Sequence, residues 1–125
     1  MRTQRGFTMA FVIVALIMVG VAMFVLTEGA NTMLFQADTA YLKAVERNLI
    51  ASGMAWASEQ VSGGGSPPTA EAVNLDTAAF GCPDARLVVR ILEIRDGKAK
   101  VRVETSCHKG RQTLDTGRDF TIAVL

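Results

Sequence analysis

The hydrophobic rhythm of the chain changes twice, and each regime predicts a different element. From Phe7 to Leu26 the sequence reads FTMAFVIVALIMVGVAMFVL, twenty residues without a charge. At helical rise that run is about 30 Å long, the thickness of a bilayer's hydrocarbon core. From Thr27 to Val61 there is no proline, and apolar residues fall at helical spacing at Phe35, Leu42, Val45, Leu49 and Trp56, with Leu34, Tyr41 and Ile50 beside them. Asp38, Lys43, Glu46, Arg47 and Glu59 supply the polar side. The pattern predicts an amphipathic helix over 27–61 that continues the membrane helix of 7–26, roughly 80 Å in all if unbroken. Gly20, Gly29 and Gly53 each cost about 1 kcal/mol in a helix interior, so they mark flexible or close-packed points.

Ser62-Gly-Gly-Gly-Ser-Pro-Pro68 ends the helix, and residues 62–85 read as a Gly/Pro-rich linker and connecting loop with a short helical turn at Ala70 to Val73. Beyond them the period falls to two. Arg86 to Arg95 is rich in Leu, Val and Ile, Asp96-Gly97 is a two-residue hairpin signal, and Lys98 to Ser106 alternates polar with apolar. A turn at 96–97 sets Glu93 opposite Lys100 on one face, with Leu92 beside Val101 and Ile94 beside Ala99 on the other. Asp119 to Leu125 gives a third strand. The fold class is therefore α+β: a long N-terminal helix, membrane-spanning in its first half, packed through Leu42, Val45, Leu49 and Trp56 by a small antiparallel sheet over 86–125.

Charge orients this arrangement. Arg2 and Arg5 precede the apolar run and Glu28 is the first charge after it, so the positive-inside bias keeps the N-terminus cytoplasmic and exports the chain beyond about residue 27. The run is too long for an ordinary signal peptide and ends in Thr-Glu-Gly rather than a small-residue cleavage site. With 13 basic and 12 acidic residues in 125, the chain has no global pull towards nucleic acid. Basic residues do gather in the last forty positions, from Arg86 to Arg118, but acids are interspersed and aromatics are few. A solvated strand face accounts for them, and the pattern permits DNA contact without supporting it.

Six residues with two arginines, then Gly6, then Phe7 opening the apolar run, form a layout that resembles the type IV pilin and pseudopilin class. The match lies in Arg5-Gly6-Phe7-Thr8-Met9, and Asn48 to Ala57 looks like the alanine-rich segment that many of these proteins carry. The resemblance implies a leader of residues 1–6, removed by prepilin peptidase between Gly6 and Phe7, with N-methylation of Phe7. It also implies a bacterial inner-membrane protein whose C-terminal domain is periplasmic or exterior. Such a chain meets an inner-membrane assembly platform and packs its N-terminal helix against other pilin or pseudopilin subunits in a pilus or secretion pseudopilus. One departure stands out: the family's acidic residue, five places into the mature chain, is Phe11 here, which is similar to some minor pilins and tip pseudopilins. The resemblance therefore points to a structural minor subunit. The same residues also suit a single-pass signal-anchored envelope protein whose exported domain binds a partner without forming a filament.

Cys82 and Cys107 flank the hairpin, and in an exported domain this small they are expected to form a disulfide. They make no Cys-x-x-Cys, and His108 alone adds a third metal donor, so no metal site is expected. With one histidine, no nucleophile elbow and no phosphate-cradling loop, the chain reads as neither an enzyme nor a cofactor carrier.

Overall fold

The computed structural model describes residues 2–64, 71–82 and 84–124, with residues 2–5 described for their backbone alone. Helix α1 runs from Arg2 to Ser62 without a break. It starts before Phe7 because residues 2–6 hold no helix-breaking proline, and it stops at Gly63 and Gly64. Four strands come after it: β1 Ala72–Leu75, β2 Arg86–Arg95, β3 Lys98–Lys109 and β4 Gln112–Ala123. They form one antiparallel sheet in the order β1-β2-β3-β4. The architecture is α+β, one long helix packed by an antiparallel sheet, as the patterning predicts. Contacts divide the chain into two units, between Ala37 and Asp38.

The sheet is larger than the three-stranded meander expected over 86–125. In place of a helical turn near Ala70 to Val73, Ala72–Leu75 pairs with β2 from Ala72↔Arg90 to Leu75↔Leu87, and the Ala78–Phe80 segment makes a short 3-10 turn. Ala70 itself, with Gly65 to Thr69, lies outside the described residues. Val73 and Leu75 alternate with Ala72 and Asn74, a period-two pattern that is too short to read in isolation but is fixed by pairing. Strand β3 extends to Lys109, and β4 begins at Gln112 instead of Asp119, because Gly110-Arg111 makes a second tight turn with Gly110 at φ 63°.

The expected turn at Asp96-Gly97 is present, with φ of 52° and 71°, the two positive values a type I′ hairpin requires. Ile94 faces Ala99 and Glu93 faces Lys100, but the register then shifts between Ile91 and Glu93. Val101 is therefore opposite Ile91, not Leu92. The bulge changes which parity of β2 faces the helix: beyond it Leu87, Val89 and Ile91 are all buried, whereas Ile94 stays largely exposed.

Within the second unit the helix presents Leu42, Val45, Leu49, Gly53, Ala57 and Val61 in steps of three and four. They meet Leu87, Val89 and Ile91 of β2 and Ala99, Val101, Val103 and Cys107 of β3 in a single core. Gly53 is where the surfaces come closest. A Cβ there would lie 3.0 Å from Val103 Cγ1, 3.2 Å from Val89 Cγ2 and 3.3 Å from Leu87 Cδ1. The buried stripe consequently passes through Gly53 and Ala57, and Trp56, expected on its centre line, packs half-buried at its flank.

Candidate functional site

The first unit contributes no core. Every large apolar side chain from Phe7 to Leu26 is at least half exposed, and Met33, Leu34 and Phe35 extend this surface past Glu28, the only charge between Gly6 and Ala37. Phe35, read in the helical periodicity with Leu34 beside it, lies before Asp38, where the sheet-packed unit begins. Among the described residues α1 is the one helix long and apolar enough to cross a membrane. Its polar groups suit that environment. The Thr27 hydroxyl donates to the Met23 carbonyl and the Thr32 hydroxyl to the Glu28 carbonyl, both at 2.9 Å, so each finds its partner one turn back in the same helix.

The Gly6–Phe7 junction lies inside α1, with Phe7 75% exposed and Phe11 69% exposed on the same side one turn later. A Cβ added at Gly6 meets nothing within 4 Å, and the same holds at Gly20 and Gly29. Among the described residues, Gly6 therefore has no packing reason to be glycine. The side chains of Arg2 and Arg5 lie outside the described residues.

The cysteines depart from expectation, since Cys82 and Cys107 form no disulfide. Cys107 sits on the helix-facing side of β3, with Sγ 3.7 Å from the Leu42 carbonyl and 3.8 Å from that of Leu114. Cys82, in the loop before β2, turns its Sγ to the His108 carbonyl at 3.5 Å. Each thiol is thus aimed at a different backbone acceptor. Burial, with the nearby Cys82 second, pushes the Cys107 thiol pKa up, which keeps the neutral form in place. Reduced and buried, Cys107 behaves as a small core residue.

The basic residues of the sheet are interleaved with acids, and several pair with them. Arg102 grips Asp119 through two hydrogen bonds of 2.7 and 3.1 Å, and Arg118 stands 3.7 Å from Glu46. Lys109 lies 3.5 Å from Asp38 and 4.0 Å above the Tyr41 ring. Arg90, Arg102 and Asp119 share one cross-strand row on the face away from α1, so positive charge is broken up along that face. The His108 ring has its Nδ1 3.3 Å from the Gln112 carbonyl, across the second hairpin. No group of three or more His, Cys, Asp or Glu among the described residues could hold a metal ion.

No protein-family description, no curated protein and no solved structure matches this chain. The apolar face of α1 and the junction at its start are therefore the candidate site on their own physical merits.

Proposed function

We propose that this chain is a structural minor subunit, a pilin or pseudopilin, of a type IV pilus or of a secretion filament of that kind. The observation that carries the reading is the sequence of parts along one helix: a basic start, a glycine whose added Cβ would meet nothing among the described residues, an uncharged run the length of a bilayer core, and an unbroken continuation that packs a small sheet. A bare anchor needs only the apolar run. The further turns of exposed apolar helix to Phe35 give a neighbouring helix something to bury. Phe11 supports a minor role, because a filament's bulk subunit would need a carboxylate to meet a neighbour's terminal amine in the apolar interior, and phenylalanine has none to offer.

On this reading prepilin peptidase removes residues 1–6 and methylates Phe7. The helix then waits in the bacterial inner membrane, with the sheet domain outside, until the assembly platform packs it against other subunits. Intact mass from cells with and without the peptidase tests the proposal. A chain of 119 residues beginning at methylated Phe7, only where the peptidase is present, supports it; a full 125-residue chain in peptidase-positive cells sinks it. Gly6→Leu is expected to block processing while leaving the sheet-packed unit folded, since Gly6 lies outside that unit and an added Cβ there meets nothing within 4 Å among the described residues.

A further inference from the structure

Glu28, the only charge between Gly6 and Ala37, stands inside an exposed apolar face and not at its end. Phe24 and Val25, one turn before it, and Phe35, two turns after it, share its side of α1 and are 60–64% exposed. Thr32, one turn on, turns its hydroxyl to the Glu28 carbonyl and so offers the carboxylate nothing. Among the described residues no cation lies within ion-pair distance of Glu28. A helix that covers Phe24, Val25 and Phe35 also takes Glu28 out of water, and a buried carboxylate without a cation is strongly unfavourable. Whatever packs on this face must therefore bring a positive charge to it.

The chain carries such a surface itself. Within the sheet-packed unit a groove of about 340 Å³ lies between α1 and β4, lined by Lys43, Glu46, Arg47, Ile50, Arg118 and Phe120. Glu46 is the one carboxylate in this lining; its side chain is 12% exposed, and Arg118 stands 3.7 Å from it. Lys43 and Arg47, one turn apart and both exposed, have no acid within ion-pair distance among the described residues. Three cations face one carboxylate, beside the half-buried apolar side chains of Ile50 and Phe120. An unanswered acid in an apolar face thus matches two unanswered cations beside apolar walls. The spacing matches as well. A displacement of fifteen residues along parallel helices, about 22 Å, sets Glu28 beside Lys43 and, seven residues on, Phe35 beside Ile50. Parallel copies at one level set Glu28 against Glu28 instead. Antiparallel copies reach the same charge pair, but only with their spans inserted in opposite directions, against the orientation that Arg2 and Arg5 give every copy.

We infer that the groove beside α1 receives the helix of a second, parallel copy of this chain, displaced along the axis. Glu28 of the incoming helix pairs with Lys43 and Arg47, and its Phe35 packs on Ile50. Such a displacement lifts one span out of the level of the other, which a helical filament permits and a flat bilayer does not. The inference rests on the filament reading above and names the neighbour that the exposed helix face meets there.

The test co-expresses two differently tagged full-length chains in cells that carry prepilin peptidase and the assembly platform. The cells are treated with a short bis-maleimide, and cross-linked pairs are read on denaturing gels, with intact mass taken on the same samples. Thr32→Cys in one chain should cross-link to Arg47→Cys in the other, well above the background of the natural cysteines. It should not cross-link to a second Thr32→Cys, the partner at equal level, or to Thr39→Cys, the partner in an antiparallel pair. Glu28→Gln added to the Thr32→Cys chain should lower the cross-link about fivefold or more, and this side chain has no ion pair of its own to disturb. Where Arg47→Cys accumulates poorly, Glu28→Cys with Lys43→Cys reads the same displacement. Absence of both cross-links in chains cut before Phe7, an equal yield from Thr32→Cys with itself or with Thr39→Cys, or indifference to Glu28→Gln would overturn the inference. Chains still uncut at Gly6 overturn the filament reading and this inference with it, so the two failures are told apart by mass.

Discussion

Gly53 sets two effects against each other. A side chain there would relieve the cost of glycine in a helix, about 1 kcal/mol, but it would enter a space already bounded by Val103, Val89 and Leu87 at 3.0 to 3.3 Å. Overpacking of a close-packed core costs about 1–3 kcal/mol, and the β-branched side chain of Gly53→Val recovers little helix propensity. The variant should lose about 2 kcal/mol in urea unfolding followed by Trp56 fluorescence, and an unchanged midpoint would show that the sheet can retreat. Thr105 presents the reverse case. It is 3% exposed, and its hydroxyl has no hydrogen-bond partner among the described residues. Thr105→Val keeps the shape and removes the unsatisfied group, so the same titration should show a gain of about 1 kcal/mol. From the sequence, Gly53 could be read only as an interruption of the helical pattern, because the surface that presses on it, Leu87, Val89 and Val103, comes from strands 34 to 50 residues later. The cysteines were legible as a pair of residue types and not as a bond, since bonding depends on side-chain direction, and Cys107 points at a helix carbonyl.

At the scale of elements, the hairpin turn at Asp96-Gly97 could be read because its two positive φ values restrict it to a few residue types. The bulge at Leu92 could not, because either parity of Leu-Val-Val-Arg-Ile-Leu-Glu-Ile offers apolar side chains and only the core selects one. Strand β1 and the first half of β4 escaped for a related reason. An edge strand needs few apolar positions, and Gln112 to Arg118 has only Leu114. Pairing of β3 with β4 gives a measurable signature in the Arg102–Asp119 contact. The hydrogen bonds from Arg102 first, and its charge as well, hold the Asp119 carboxyl below its usual pKa. A carboxyl depressed in the folded state adds stability that is present above its unfolded value, near 4, and is lost as pH falls through the folded value. NMR titration of the Asp119 carboxyl carbon should show this depression. In Arg102→Gln the midpoint should return upward to the usual carboxylate range; an unmoved midpoint would assign the depression to another group.

For the whole molecule, the apolar run is long and apolar enough to cross a membrane, and the sheet-packed unit holds the core. The run was fully legible, since twenty uncharged residues need no tertiary context. Its partners were not, because an exposed apolar face has the same composition whether lipid or protein covers it. A charge at the middle of the run tests the membrane half of the argument: Ile17→Arg should cost about 2.5–3.5 kcal/mol on insertion. The variant should shift from the carbonate-resistant membrane fraction towards the soluble or degraded one, and undiminished membrane retention would contradict a span at 7–26. The order of synthesis adds a consequence of its own. The sequence of α1 is complete at Ser62, yet the strands that supply the other side of its core, β2 and β3, are complete only at Lys109. At roughly 5–20 residues per second, the 47 residues from Gly63 to Lys109 take about 2–9 s to make. Over that interval Leu42, Val45 and Leu49 have no complete β2–β3 hairpin to pack against, so each newly made chain passes through a window of seconds in which it is open to chaperones and proteases.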